Sequence, residues 1–299
     1  MGAGIVCYDM SGELLFQLNA RGQGPGEYTD INAFAVNASL HQLVIYDNMK
    51  QSLMFYSTED GRFVKSEKFN KPTPAEIAYW GGYFFYHNRL HRNYQDDVSL
   101  HYYLLASKDG ITIGKRYFEH ENNKEDYPFS PSGHNLYDNN SKLYYCRDFD
   151  NIVYQIHEDS VVPRFRINLP NPLPASMIEE RPNEMSLLRS GYSLGITDIY
   201  EYGGLLFFRF VKDGYIWSCL YNVEESKQVY CTKRIKFLHS SLIDTIDGIY
   251  KDCFYSILTS EYLDYAFSEN PLEDYPDLFK TYDVEGDNPV IAFYRAVVR

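Results

Sequence analysis

Long apolar runs are missing from this sequence: nothing approaches the ~18 consecutive apolar residues of a membrane-spanning helix, so no transmembrane segment is expected. Basic side chains are scarce. Lys and Arg number 28 against 41 Asp and Glu, leaving a formal net charge of −13. That balance excludes a broad phosphate-binding surface, and with it nucleic acid as a partner. Cysteine is sparse and odd in number, at five, and no two form a C-x-x-C pair. Neither a zinc site nor a disulfide scaffold is expected, so no metal or cofactor is assigned. Cys219 and Cys231 would fall opposite each other if Glu224–Lys227 is a hairpin turn. Buried free thiols are the usual state of strand cysteines, and that is the expectation here. The first eighteen residues contain no basic start and no apolar core, so they do not read as a signal peptide. The chain is either cytosolic as written or has had a leader removed. There is no G-x-S-x-G elbow and no cysteine in a recognisable nucleophile context.

Aromatic residues are what the sequence has in abundance: 29 Tyr, 19 Phe and 2 Trp, or 17% of 299 residues. Aromatic side chains fit pleated, half-buried surfaces, so the composition points to an all-β protein. At 44% hydrophobic it is not a disordered chain, and its length suits one large repetitive fold or two domains.

Two features recur in fixed order. One is a short turn followed by an aromatic strand: Leu43-Val44-Ile45-Tyr46, Tyr83-Phe84-Phe85-Tyr86, Leu143-Tyr144-Tyr145-Cys146, Leu205-Leu206-Phe207-Phe208 and Cys253-Phe254-Tyr255-Ser256. The other is a hairpin closed by an acidic or Gly turn, at Asp9–Gly12, Thr58–Gly61 and Lys108–Gly110, with weaker copies at His157–Ser160 and Asn222–Ser226. Gly12 to Gly61 is 49 residues, Gly61 to Gly110 is 49, and Gly110 to Ser160 is 50. Ser160 to Ser226 is 66, and Pro170–Pro182 accounts for the excess as an insertion followed by a short helix. Alternating strands at this spacing give four antiparallel strands per unit, the pattern of β-propeller blades. Two β-sandwiches would instead need a linker near the middle, and only the insertion lies there.

The expected fold is therefore an all-β, six-bladed β-propeller of four-stranded antiparallel blades with its first blade incomplete. One domain covers 1–299. Residues 4–18 form the outer hairpin of the truncated first blade; 30–69, 75–119, 128–169, 191–237 and 243–299 are blades; 170–190 is an insertion. The last blade is interrupted by a helical excursion through 270–279. A segment of about fifty residues upstream would complete the first blade. Without it an apolar flank is left for a partner or for the C-terminal strand Val290–Val297 to cover.

Arg21-Gly22-Gln23-Gly24-Pro25-Gly26-Glu27-Tyr28, after the first hairpin, resembles the G-x-G-P-G-E-Y segment of a six-bladed, NHL-like propeller family abundant in Bacteroidetes. The ending Asn288-Pro289-Val290-Ile291-Ala292-Phe293-Tyr294 is similar to that family's closing strand. The resemblance implies an exported protein, often a lipoprotein, of the periplasm or cell surface, and implies no catalytic residue. The Gly-rich segment leads into a strand, so it lacks the helix N-terminus of a phosphate loop and reads as a crossing between blades.

In such a fold the long connections gather on one face: 87–100, 119–127, 170–190 and 259–288. Asp47, His87, Arg147 and Arg209 end the aromatic second strands, and Arg89 and Arg92 follow in the longest early loop. With Arg21 and Glu27 they make the candidate ligand-binding set. Two readings stand. The arginines pair with Asp148, Asp150, Asp213 or Glu27 as struts between blades, or they face a small anionic ligand such as an acidic saccharide or carboxylate. His87 and His91, four apart, read as loop histidines and not as a metal site. Catalytic residues are not assigned. The expected role is non-catalytic binding or scaffolding, with a glycan or protein partner on the long-loop face. The alternative is a glycan-active hydrolase or lyase at the channel mouth; the S-x-D-x-G-x-x-W box of sialidases is absent.

Overall fold

The computed structural model describes residues 4–69, 73–89, 101–120, 130–131, 133–233, 246–269, 282–283 and 289–295. Period-2 alternation and aromatic strands give antiparallel meanders throughout. Strands β1 (Ile5–Tyr8) and β2 (Leu14–Leu18) pair with each other as a two-stranded sheet. Four four-stranded sheets follow in strict chain order. They are β3 (Ala33–Asn37), β4 (Gln42–Asp47), β5 (Ser52–Ser57) and β6 (Phe63–Lys68); then β7 (Pro74–Trp80), β8 (Tyr83–Asn88), β9 (Tyr102–Ser107) and β10 (Lys115–Glu119). Next come β11 (Leu136–Asn139), β12 (Lys142–Tyr145), β13 (Ile152–Ile156) and β14 (Val161–Arg166); then β15 (Ser193–Tyr202), β16 (Leu205–Lys212), β17 (Tyr215–Asn222) and β18 (Lys227–Thr232). The last sheet holds β19 (Gly248–Tyr250), β20 (Cys253–Leu258) and β21 (Val290–Tyr294).

This is an all-β propeller of four-stranded antiparallel sheets with five blades, which corrects the expectation of six. The reason is local. Among the described residues, β1 and β2 make a two-stranded sheet and not a full blade. The C-terminal strand β21 pairs along β20, Val290 opposite Leu258.

The chain forms two compact units, 1–128 with 156–162, and 129–155 with 163–299. In the first, β4 and β5 are apolar on both faces. Val44, Tyr46, Leu53 and Phe55 pack with Ile77, Phe84, Tyr86 and Leu105 of the next blade. Leu43, Ile45, Met54 and Tyr56 pack with Leu18 and Tyr28, and with Ile5 and Phe16 of the first hairpin. Side chains this fully buried contribute roughly 1.5–3 kcal/mol each. In the second unit one cluster runs from Tyr137, Tyr144 and Val153 through Ile196, Ile199, Phe207 and Phe210 to Ile249 and Phe254.

The insertion carries two short helices, α1 (Ala175–Glu179) and α2 (Glu184–Leu188), the second capped by the Asn183 side chain on the Ser186 amide and anchored by fully buried Leu187. Helix α3 (Ser260–Glu269) follows β20. The excursion expected at 270–279 lies outside the described residues. Among those described, no helix is long and apolar enough to cross a membrane.

Cys219 and Cys231 are register partners across β17 and β18 and are joined as a disulfide, against the expectation of free thiols. Direct opposition on adjacent strands is what places the two sulfurs in reach. Thiol counting in denaturant should give three reactive cysteines (Cys7, Cys146 and Cys253) without reductant and five after reduction. Five in both conditions would contradict the pairing.

One glycine holds two blades together. Gly195, the third residue of β15, has φ +92°, and a Cβ there would sit 2.7 Å from the Phe149 backbone, where the Ile196 amide donates to Asp150 O. Gly195→Ala should cost about 2–4 kcal/mol in urea unfolding, against about 1 kcal/mol for Gly82→Ala, whose site is open. Equal costs would show that the close approach is not what requires glycine.

Candidate functional site

The structure separates the candidate residues by what their side chains already hold. The segment Arg21–Tyr28 folds around one carboxylate. Glu27 accepts from the Gly24 amide at 2.7 Å, and a Cβ on Gly22 would collide with the same carboxylate. Gly26, at φ +76°, packs on Phe63, and Tyr28 is buried with its hydroxyl donating to Leu18 O at 3.2 Å. The Lys50 ammonium donates to the Glu27 carbonyl at 2.5 Å. Residues 21 and 28 bridge to each other at the base of this loop. The glycines are therefore explained by Glu27 and by close packing, and Glu27 points into its own loop.

Asp47 is fully buried at the end of β4. Its carboxylate accepts from the Thr29 amide at 2.6 Å, the Thr29 hydroxyl at 2.7 Å and the Lys50 amide at 3.0 Å. Burial pushes its pKa up, but these donors outweigh burial and hold it below the ordinary carboxylate value. Asp47 ties the incoming chain to the blade. Arg89 is part-buried just beyond β8, and Arg92 lies outside the described residues, as do His91 and most of the loop that carries it.

Arg147 and Arg209 do not gather into a positive field. The Arg147 guanidinium pairs with Asp150 at 2.9 Å, and Arg209 Nε with Asp198 at 2.8 Å; Lys212 pairs with Asp213 at 2.6 Å. Each pair lies within a single blade. One ion pair that does join two blades lies elsewhere. Glu201 of β15 accepts from Lys142 at 2.8 Å, from Arg164 at 3.3 Å and from the Tyr144 hydroxyl, while its amide donates to Asn139. Burial works against Glu201's charge, and the Lys142 and Tyr144 hydrogen bonds overcome it, so its pKa falls. Sequence reading missed Glu201; its only sign was an acidic residue beside a Gly-Gly turn.

The remaining arrangement is concave. A cavity of about 250 Å³ is lined by Thr197, Asp198, Arg209, His134 and Asp247 with an apolar side of Pro131, Val211 and Ile216. The β15–β16 ladder shifts register between Thr197 and Tyr200, and Asp198 in that bulge adopts φ +53°. A left-handed conformation at an aspartate inside a strand is strained, and a bulge re-aims a side chain. Here it turns the Asp198 carboxylate to Arg209 and to the Thr197 hydroxyl, at 2.5 Å. The Asp247 carboxylate accepts from the Ile257 amide at 2.7 Å. Behind it the phenols of Tyr200, Tyr255 and Tyr294 are pushed up, first by burial and then by neighbouring carboxylates, Tyr294 to about 12. Of the sequence-stated candidates only Arg209 lines this cavity. Thr197, Asp198, His134 and Asp247 gave no motif, because a bulge leaves no mark in alternation. Among the described residues no three His, Cys, Asp or Glu side chains gather to hold a metal ion.

His87 is completely buried in β8. Burial, helped by Arg89, lowers its pKa to about 3. A histidine with a lowered folded-state pKa takes up its proton more readily when unfolded, so stability is intact above about pH 6.5 and declines toward pH 3. The unfolding free energy from urea titration should fall between pH 6.5 and 4.5, by roughly 1–2 kcal/mol more in the wild type than in His87→Gln. An identical decline in both would show that His87 is not the group responsible.

Comparison with known proteins agrees with this architecture. An exported protein of Bacteroides fragilis has a similar solved structure at TM-score 0.78 and 17% identity, over 98% of this chain and 84% of that one. A DUF4221-family member from Bacteroides vulgatus is similar at TM-score 0.50 and 11% identity, over 98% and 86%. At these identities the likeness is one of fold. No curated protein matches the sequence. The family profile that does match runs over residues 2–295, nearly the whole chain, and the protein belongs to the DUF4934 family, a domain of unknown function.

Proposed function

We propose that this protein is a non-catalytic binding module that takes a saccharide in the cavity around Asp198 and Arg209. The observation that carries the reading is the strained Asp198, held at φ +53° in a strand bulge so that a carboxylate and a guanidinium meet at a concave surface. Strain of that kind costs of order 1–3 kcal/mol and is concentrated at ligand sites. An adjacent donor and acceptor of opposite charge suit neighbouring hydroxyls, one accepting from Arg209 and the other donating to Asp198. Val211, Ile216 and Pro131 supply an apolar side for a ring's C–H face.

The cavity is small beside the ~300–1,000 Å³ of drug-sized sites, which fits a single ring or the end of a chain. Its lining also comes from the connections that lead into first strands (His134, Asp247) and from residues flanking the β16–β17 turn (Val211, Ile216). Those are the connections expected on the elaborated face. The ligand is not an acidic saccharide held by bare arginines, because Arg147 and Arg209 are each matched by a carboxylate. Glu27 and Asp47 serve the scaffold in this reading, since their carboxylates are held by neighbouring amides. Likeness to an exported Bacteroides protein supports a periplasmic or cell-surface setting for this role.

A hydrolase is the second reading, favoured by two carboxylates, Asp198 and Asp247, on one cavity. A neutral oligosaccharide panel separates the two. The binding reading expects saturable calorimetric binding with no product after prolonged incubation, and a loss of affinity of at least tenfold in Asp198→Asn and Arg209→Ala. Product formation that disappears in Asp247→Asn would establish the enzyme; unchanged affinity in both cavity variants would remove the cavity as the site.

A further inference from the structure

Asp198 and Arg209 meet through one nitrogen and one oxygen. Arg209 donates through Nε to Asp198 Oδ2 at 2.8 Å, and the Thr197 hydroxyl donates to the same oxygen at 2.5 Å. A guanidinium beside an unoccupied carboxylate favours a closed fork, two N–H donors on two oxygens. Arg147 comes nearer to closure, giving Asp150 both Nε at 3.2 Å and Nη2 at 2.9 Å. At Asp198 a third group intervenes. Thr197 is buried, at 4% exposure, and lies opposite Arg209 in the β15–β16 register. Asp198, the next residue, turns left-handed where that ladder shifts, so its carboxylate comes back onto both neighbours.

The consequence is a set of unspent groups. Among the described residues, Asp198 Oδ1 and the Arg209 Nη groups make no further hydrogen bond. None of these atoms is buried, so they reach the solvent of the cavity that Thr197, Asp198 and Arg209 line. A carboxylate oxygen only accepts, and guanidinium N–H groups only donate. A ligand group that only accepts would satisfy Arg209 alone, and one that only donates would satisfy Asp198 alone. Two adjacent hydroxyls satisfy both, one accepting from Nη and the other donating to Oδ1.

We propose that Thr197 is a positioning residue that makes the cavity selective for a saccharide with two adjacent free hydroxyls, an inference that rests on the saccharide reading above. Its hydroxyl occupies Oδ2 and so keeps the carboxylate from closing on Nε and Nη together. Oδ1 is then held as the acceptor, and the Nη groups stay available as donors. With Thr197 replaced by Val, the carboxylate is free to turn and close the fork, and the pair spends on itself the groups that the ligand needs. Methylating a ligand hydroxyl keeps its acceptor and removes its donor. An ether at that position leaves Oδ1 unpaired under the bound ring, which is what produces the selectivity.

Calorimetric titration with the methyl pyranosides of glucose, mannose and galactose, each beside its mono-O-methyl ethers, tests this. The wild type should bind the best of the three at least about tenfold more tightly than one of its ethers. In Thr197→Val, affinity for the free sugar should fall about fivefold and the preference over that ether should shrink to about twofold or less, with Thr197→Ser restoring both. A steric clash with the added methyl group would persist in Thr197→Val, and a purely structural role for Thr197 would lower the melting temperature and leave the preference unchanged. Either result overturns the proposal, as does a wild type that binds every ether as tightly as the free sugar, a measurement that does not need the variants to fold. If sugar binding is lost in Asp198→Asn and Arg209→Ala but unaltered in Thr197→Val, this inference fails and the saccharide reading stands. If none of the pyranosides binds, both fail.

Discussion

The second strands β4, β8 and β12 are buried on both faces, and that constraint organises the rest. A sheet with one wet face would alternate apolar and polar residues along each strand, but β4, β8 and β12 bury consecutive residues. Such strands are stable only between two other layers. The first unit shows the consequence: one set of β4–β5 side chains meets the next blade and the alternate set meets the first hairpin. Outer strands are released from the constraint, and β6, β14 and β18 are largely exposed.

The order of elements was readable because two local signals survive in the sequence. Positive-φ glycines mark the outer hairpins, at Gly12, Gly61 and Gly110, and the second strands are continuous aromatic runs. The blade number was not readable, because counting turns cannot reveal whether a hairpin finds further partners. A period of 49 residues includes Gly12 in the series, while hydrogen bonding leaves its hairpin a ribbon of two strands. The Cys219–Cys231 register was legible from the turn at Glu224–Lys227; that the sulfurs join was not.

The cavity was legible only at Arg209. Position at the end of a second strand located that residue, but Asp198 enters through a register shift, and His134 and Asp247 through connections far away in sequence. Electrostatics shapes how the candidate arginines are held. In a chain with more acids than bases, two of the candidate guanidinium groups have a nearby carboxylate, Asp150 for Arg147 and Asp198 for Arg209. Charge is then organised in local pairs, and recognition falls to paired groups that present a donor beside an acceptor. The Gly-rich segment teaches the same lesson, since its glycines make room for an internal carboxylate and a Phe63 ring.

The central claim is that two-sided coverage sets the stability of each strand. Native-state hydrogen exchange, resolved by residue, tests it most directly. The account predicts that amides of Val44, Ile45, Met54 and Phe55 exchange only through global unfolding, while those of β1–β2 and β6 exchange through local opening at much lower free energy. Equal protection in β1–β2 and in β4–β5 would contradict it.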